Sequence, residues 1–206
     1  MGRADEPANE AFQTKEYWDE RYAAEGPDED FDWFKTYEDL EPILSELIPD
    51  KNARVLMLGC GNSTLSVDMA THGYANIVNI DYSEVLIDKM QRRYPSLDWR
   101  VHDVRQLKEL DHEGSFDVVI DKGTMDALMA EKGSVWDPSE TVRSNVQAEI
   151  DGVVWLLKPH TGVFLYLTWM QPHFRRPYIE RRERWSVETR TMGDAFHYFL
   201  YIAKML

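Results

Sequence analysis

The chain has 206 residues, with 23 Lys and Arg against 37 Asp and Glu, and a formal net charge of −14. Its 43 % of hydrophobic residues is typical of a globular protein, and its length suits one domain with a core of its own. The acidic balance argues against a nucleic-acid-binding protein, since phosphate binding requires clustered Lys and Arg. The single cysteine, Cys60, excludes an intramolecular disulfide framework and a cysteine-rich zinc site.

No apolar signal region opens the sequence, and no apolar run approaches the ~20 residues that a membrane span needs. We therefore expect a cytoplasmic protein that makes no membrane contact. The His, Cys and acidic residues lack the spacing of metal ligands, so no metal site is predicted. We also expect the chain to be a monomer.

The charge is unevenly distributed along the chain. Residues 1–32 hold eleven acids and three bases, whereas residues 171–190 hold six arginines and three glutamates. Both regions can be solvated faces, as charge runs usually are. Alternatively, the acidic region attracts a basic partner. Composition leaves both interpretations open.

The N-terminal part of the chain predicts a tail followed by two helices. Residues 1–14 lack periodicity and are expected to be a disordered acidic tail ahead of a single domain over 15–206. Trp18 and Tyr22 are four residues apart and share one face of a first helix. An apolar stripe at helical spacing predicts a second helix that ends at Pro49. We call residues 15–50 the lid segment.

The rest of the chain alternates between apolar strands and amphipathic helices, and it ends in two strands around Gly193. This order predicts an α/β fold, a Rossmann-like seven-stranded and mostly parallel sheet with helices on both faces and a C-terminal antiparallel hairpin. The predicted strands are 53–61, 76–83, 97–104, 115–123, 162–170, 183–192 and 195–205, and the predicted helices are 63–73, 84–94 and 141–157.

Three successive strands end in residues that suit an adenosine-type ligand. The first runs into Gly59 and Gly61, whose backbone allows a ligand to approach closely. The second ends at Asp81, where a carboxylate accepts hydrogen bonds from ribose hydroxyls. The third ends at Asp103, which suits an adenine amino group, while the N–H of Val104 suits a ring nitrogen. A tight turn or a helix cap would explain each motif alone, but the three together predict an adenosine site.

These motifs carry a resemblance to a known family. The sequences L-G-C-G-N-S, D-Y-S, H-D-V and D-K-G-T-M-D-A-L resemble the class I, seven-strand S-adenosylmethionine-dependent methyltransferases. The sequences Y-W-D-E-R-Y, F-D-W-F, P-H-F-R and F-H-Y-F-L-Y are similar to the lysine methyltransferases of translation elongation factor 1A (eEF1A), in particular the group related to the methyltransferase associated with endothelin-converting enzyme 2. The resemblance covers residues 16–205, and the glycine motif is its least specific part.

The resemblance implies S-adenosylmethionine as cofactor, S-adenosylhomocysteine as product, and a basic protein, eEF1A, as substrate. Aromatic residues of the lid segment would cover the cofactor, because a sulfonium cation is attracted to aromatic faces. Packing of the first helix on the sheet is the alternative role for Trp18 and Tyr22. The cofactor positions carried over from the family are Gly59, Asp81, Tyr82, Asp103, Val104, Lys122, Trp18, Tyr22 and Trp33.

The acceptor lysine must lose its proton before it attacks the methyl group. Asp121, at the end of the strand over 115–123, is predicted to orient or desolvate the amine and is our catalytic candidate. Asp126 is a second candidate, with capping of the following helix as the alternative. His173 follows a parallel strand and is expected to border the acceptor channel, although a lone histidine is more often structural.

Three other functions compete with protein-lysine methylation. A small-molecule methyltransferase of the same fold would usually carry a larger capping insertion than this chain has. A catalytically silent cofactor-binding protein is disfavoured because the glycines, the strand-end acids and the aromatic residues are all present. A nucleic-acid methyltransferase is disfavoured by the charge and by D-K-G-T, where adenine-specific enzymes have Asn/Asp-Pro-Pro-Tyr/Phe.

Overall fold

The computed structural model describes residues 8–193 and 196–206. Residues Asn9–Gln13 form a 3-10 helix, so the prediction of disorder over 1–14 is wrong for this stretch, and the prediction for residues 1–7 lies outside the described residues. The aromatic ring of Phe12 explains the order, because it packs against Tyr17, Trp18 and Trp33.

The lid segment contains two helices, α1 (Lys15–Ala24) and α2 (Tyr37–Leu47). The Thr14 hydroxyl caps α1 by accepting the N–H of Tyr17. Thr36 and Asp39 form a capping box that starts α2. Helix α1 packs through Trp18 and Tyr22 on the domain helix α4 (Glu84–Arg93). The lid segment is thus attached to the domain through the apolar face of α1.

Seven strands form one sheet in the order β3-β2-β1-β4-β5-β7-β6. The first five strands are parallel, and β7 lies between β5 and β6, antiparallel to both. This confirms the predicted fold class and the C-terminal hairpin. Most strands are two to four residues shorter than predicted, because the apolar runs continue into the turns. The strands are β1 (Arg54–Leu58), β2 (Asn76–Asp81), β3 (Asp98–Val101), β4 (Val118–Lys122), β5 (Val163–Thr168), β6 (Trp185–Met192) and β7 (Tyr198–Met205).

Helices cover both faces of the sheet, as expected for strands that are apolar on both sides. Side chains of β1 alternate, so that Leu56 and Leu58 pack under α5, α6 and α7, while Val55 and Met57 pack under α2 and α3. Helix α7 was not predicted. The domain helices are α3 (Leu65–Thr71), α4 (Glu84–Arg93), α5 (Thr124–Leu128), α6 (Glu140–Leu156) and α7 (Pro172–Ile179).

Within residues 8–193 and 196–206, no helix has the length and apolar character needed to cross a membrane. The same residues contain no group of three His, Cys, Asp or Glu side chains that could hold a metal ion.

Candidate functional site

A cleft lies over the carboxyl ends of β1 to β4, between the sheet and the lid segment. It has an empty volume of about 970 Å³, part of which is open to solvent. All ten predicted cofactor residues line it. They are Trp18, Tyr22, Trp33, Gly59, Gly61, Asp81, Tyr82, Asp103, Val104 and Lys122.

The glycine turn after β1 forms the floor of the cleft. Gly59 and Gly61 have φ angles of 49° and 54°, a region that side chains other than glycine rarely adopt. A Cβ atom at Gly59 would collide with the side chain of Thr124, whose hydroxyl donates to the carbonyl of Leu58 at 2.9 Å. Glycine therefore allows the turn after β1 to pack directly against the start of α5.

Asp81 ends β2 and is held in a fixed orientation. Its two carboxylate oxygens accept the backbone N–H of Ser83 at 3.0 Å and of Gly61 at 3.2 Å. Burial raises the pKa of Asp81 to about 6, although these two N–H groups partly offset the effect. The carboxylate is thus held in place, buried and in contact with the glycine turn. These properties suit a group that accepts hydrogen bonds from hydroxyls.

Asp103 follows β3 at the other end of the cleft. Its carboxylate accepts the N–H of Arg105 at 2.9 Å and pairs with the guanidinium of the same residue. Burial opposes ionisation, but the hydrogen bonds from Arg105 lower the pKa of Asp103 overall. Arg105 also lines the cleft, and the sequence analysis did not single it out. Asp103 therefore stays ionised beside Tyr82 and Val104.

The aromatic residues of the lid segment form the roof of the cleft. Trp18 and Tyr22 stack with ring centroids 5.7 Å apart, and Trp33 lies edge-on to Trp18 at 6.5 Å. The guanidinium of Arg21 lies 5.4 Å and 5.5 Å from the ring centroids of Trp18 and Trp33, which favours a cation–π contact with each. Trp18 and Tyr22 also pack on α4, so these side chains both anchor the helix and face the cleft.

Four acids within residues 15–32 of the lid segment form hydrogen bonds with the domain. This is a third role for the acidic region, beside the solvated face and the partner-attracting surface considered from the sequence. We call these contacts the anchoring pairs. They join Asp19 to Ser83 at 2.5 Å, Glu25 to Asn62 at 3.0 Å, Asp30 to Arg93 at 2.5 Å, and Asp32 to both Lys122 at 2.7 Å and Ser63.

Asp121 is fully buried, and it is not among the residues that line the cleft. Its two oxygens accept the N–H of Thr124 at 2.8 Å and of Met125 at 2.9 Å. The carboxylate therefore holds the N-terminus of α5, and its role toward an acceptor amine stays a prediction.

Glu149 on α6 is a buried acid to which no sequence motif points. Within the described residues, no N–H or O–H group of another residue donates to either of its carboxyl oxygens. Burial, together with the charge of Asp121 and a hydrogen bond between the two carboxyl groups, raises the pKa of Glu149 well above its usual range. Burial and the charge of Asp126 likewise raise the pKa of Asp121. The two carboxyl groups thus share a dry site under α5 that favours at least one bound proton.

We expect Glu149→Gln to gain stability relative to the native protein as the pH rises from 5 to 8, because an amide donates to Asp121 at every pH, whereas the native carboxyl group donates only while it keeps its proton. A carboxyl group whose pKa is raised by folding binds its proton more tightly in the native state. The native protein is therefore expected to lose stability as the pH rises above about 4.5, the ordinary pKa of this group. Urea unfolding between pH 5 and 8 measures the difference.

The exposed Glu140 begins the same helix, and Glu140→Gln is the matched control. The free energy of unfolding of this variant should follow that of the native protein at every pH. If the native protein and Glu149→Gln give parallel curves, the proton is not held at this pair.

Asp126 is neither a helix cap nor a residue of the cleft. Helix α5 begins at Thr124, after the left-handed Gly123, so Asp126 already lies inside its first turn. Its carboxylate accepts hydrogen bonds from Arg175 at 2.8 Å, from the Thr168 hydroxyl at 2.7 Å and from the Tyr166 hydroxyl at 3.1 Å. The predicted cap is wrong, and contact of Asp126 with the substrate stays a prediction.

The arginine-rich stretch has mostly structural partners. Arg175 is buried against Asp126, Arg181 pairs with Asp151, and Arg176 pairs with Glu180 of its own helix. The positive charge of this stretch is therefore largely compensated by the domain itself.

His173 also lies outside the residues that line the cleft. It is exposed on α7, stacked on Trp136 with ring centroids 5.2 Å apart and beside Phe174 at 3.9 Å. The prediction that His173 follows a parallel strand is correct, but a role toward the acceptor stays a prediction.

Comparison with known proteins identifies close relatives. A family model described as a methyltransferase domain matches residues 49–160, more than half of the chain. The EEF1A lysine methyltransferase 4 of Mus musculus is 38 % identical over 94 % of this chain and 76 % of that protein. The eEF1A lysine and N-terminal methyltransferase of Mus musculus is 32 % identical over 91 % of this chain, but over only 26 % of that longer protein.

Solved structures share the fold at lower sequence identity. The N-methyltransferase NodS from Bradyrhizobium japonicum, in complex with S-adenosylhomocysteine, superposes with a TM-score of 0.61. The match covers 95 % of this chain and 98 % of NodS at 16 % identity. The architecture of this chain is therefore that of a Rossmann-like methyltransferase.

Proposed function

Since the chain belongs to the family of the eEF1A lysine methyltransferases, we propose that it transfers a methyl group from S-adenosylmethionine to a lysine of eEF1A. The enzyme class and the cofactor follow from the family. The choice of eEF1A as substrate rests on what the relatives' names state. The observation that supports it most is that similarity to the first of them runs through 94 % of the chain, including the lid segment.

The cleft fits the cofactor. The left-handed glycines leave the floor free of side chains, and Asp81 offers a fixed carboxylate beside them. S-adenosylmethionine supplies, when bound, a methyl group activated by a positively charged sulfur. Following the strand order, we assign Asp103 and Val104 to adenine, Asp81 to ribose, and Gly59 and Lys122 to the methionine end.

The residues that line the cleft then have two tasks toward the reaction. The strand-end acids orient the cofactor, and Trp18, Tyr22 and Trp33 cover it. This cover excludes water from the reacting atoms and offers aromatic faces to positive charge.

We propose that desolvation in the cleft deprotonates the acceptor amine. The only carboxylates among the described residues that line the cleft are Asp81 and Asp103, and we assign both to the cofactor. Asp121, predicted from the sequence to orient or desolvate the amine, is buried and does not line the cleft. Moving a lysine ammonium into a mostly apolar cleft disfavours its charged form.

The test is transfer of tritium from methyl-labelled S-adenosylmethionine to unmodified recombinant eEF1A. We expect label in eEF1A, on a lysine identified by mass spectrometry of its peptides. Asp88→Ala, on the exposed side of α4, should label eEF1A like the native chain, whereas Asp81→Ala should not. A small-molecule fraction of cell extract tests the alternative acceptor. Label in that fraction with none in eEF1A would overturn the proposal.

A further inference from the structure

Asp32 differs from the other acids of the anchoring pairs because it binds two residues of the cleft. Its Oδ1 accepts the ammonium of Lys122 at 2.7 Å and also the hydroxyl of Ser63. Its Oδ2 lies 3.3 Å from the Thr64 hydroxyl, whose proton goes to Asp68 at 2.7 Å. Ser63 and Thr64 follow the glycine turn of β1, and Lys122 ends β4. One carboxylate of the lid segment therefore bridges the two strand ends that flank the methionine end of the cofactor.

Lys122 is held from two sides by the lid segment. Besides Asp32, its ammonium donates to the carbonyl of Trp33 at 3.1 Å. The next residue, Phe34, has a φ angle of 68°, which is unusual for a residue other than glycine, and a Cβ atom at Gly123 would lie 3.2 Å from its ring. The backbone of the lid segment is thus turned so that a carbonyl and a carboxylate converge on one ammonium.

We propose that Asp32 is a positioning residue for the methionine end of S-adenosylmethionine, which it serves by fixing the ammonium of Lys122 in the cleft. An ammonium has three N–H donors, and within the described residues two of those of Lys122 are used by the lid segment. The third donor is left to a ligand carboxylate. Because Asp32 belongs to the lid segment, Lys122 takes this orientation only while the lid segment is attached to the domain.

The charge of Lys122 fits the carboxylate at the methionine end of the cofactor. The side chains of Lys122 and Asp32 are only 8 % and 13 % exposed, so water screens their charges weakly. Lys122 lines the cleft and Asp32 does not, so Lys122 offers its charge to the ligand while Asp32 holds it from behind. Burial alone lowers the pKa of Lys122, and the charge of Asp32 opposes this shift. Without Asp32, Lys122 would hold its proton less firmly and bind a carboxylate less well.

Asp30 provides the matched control. It lies two residues away in the same segment and forms a bidentate pair with Arg93 at 2.5 and 2.8 Å. Neither of these residues lines the cleft. Asp30→Asn therefore removes one anchoring pair without touching Lys122, whereas Asp32→Asn removes an anchoring pair and the partner of Lys122.

The experiment compares two ligands by calorimetry, S-adenosylhomocysteine and 5′-methylthioadenosine, which lacks the amino-acid end. Asp32→Asn should bind S-adenosylhomocysteine about 10- to 100-fold more weakly, the range for loss of one charge-assisted hydrogen bond, and 5′-methylthioadenosine with less than about a twofold change. Asp30→Asn should change both affinities by the same factor. Melting curves confirm that each variant is folded.

A second variant ties the effect to Lys122. Lys122→Met should show the same selective loss, and adding Asp32→Asn to it should bring no further selective loss, since both changes remove one interaction. If Asp32→Asn weakened the binding of both ligands equally, the role of Asp32 would be only to attach the lid segment to the domain. If the variant bound S-adenosylhomocysteine more tightly, Asp32 would hold Lys122 away from the ligand. Either result overturns the inference. No protein substrate is present, so the outcome is independent of methylation of eEF1A.

Discussion

Replacing Asp81 by alanine is expected to weaken the binding of S-adenosylmethionine by about two to four orders of magnitude. Two hydroxyls of a ribose would each lose a charged acceptor, at about 1.5–3 kcal/mol for each hydrogen bond. Asp81 also holds the N–H groups of Gly61 and Ser83, so the turn that cradles the ligand loses its fixed shape. Calorimetric titration of the native protein, Asp81→Ala and the control Asp88→Ala measures the effect. A Kd for Asp81→Ala within about threefold of the native value would remove Asp81 from the site.

The pH dependence of binding gives an independent check on the same carboxylate. Burial raises the pKa of Asp81 to about 6 in the free protein, and only its ionised form accepts a hydrogen bond from both hydroxyls. The affinity of the native protein is therefore expected to fall as the pH drops below 6, by up to about tenfold for each pH unit. Asp81→Asn has no proton to release there, and its weaker affinity should show no such fall.

Replacing Arg175 by methionine is expected to lower the free energy of unfolding by about 3–5 kcal/mol, because it leaves the buried carboxylate of Asp126 without its counter-charge. The side chains of this pair are 5 % and 9 % exposed. In a chain of this length the loss corresponds to a decrease in Tm of about 6–20 °C. Thermal unfolding followed by circular dichroism measures it.

The neighbouring Arg176 is the control for this loss. Its side chain is 48 % exposed and pairs with Glu180 across one helical turn. Exposed pairs of this kind contribute at most about 1 kcal/mol, so Arg176→Met should change the Tm by no more than about 4 °C. Adding Asp126→Asn to Arg175→Met should recover part of the stability, since the unpaired charge is then gone. Similar small changes for both arginines would show that the Asp126 pair is dispensable.

The residues that were recognised from the sequence are those whose role depends on local position. Gly59, Asp81 and Asp103 each end an apolar strand, and in a parallel sheet such ends meet at one edge. Strand periodicity and one glycine turn were therefore enough to predict that these three residues meet at one site. Lys122 and the aromatic residues needed the family resemblance, because no spacing rule brings the lid segment over β4.

Interactions between residues that are distant in sequence were not predicted. Asp32 is 90 residues from Lys122, and Arg175 is 49 residues from Asp126. The hydrogen bonds of Asp121 within α5 could not be predicted for a related reason. An acid at a strand end faces the cleft at β2, but at β4 the left-handed Gly123 starts α5 at once, and the exposed N–H groups of that helix take the carboxylate. In the sequence, Asp81 and Asp121 both end an apolar strand. Only the conformation of the turn that follows each strand distinguishes their surroundings.

The insertion of β7 between β5 and β6 sets an order for folding during synthesis. On its side away from β4, strand β5 pairs with β7, residues 198–205. Within the described residues, β7 is also the only strand that pairs with β6. While the ribosome is still producing these residues, the nascent domain presents β5 as an open edge, and β6 has nothing to pair with. The cleft on β1 to β4 can form earlier, but the sheet that supports it closes only when β7 has left the exit tunnel. Fragments that stop before residue 198 are therefore expected to be prone to aggregation through that edge.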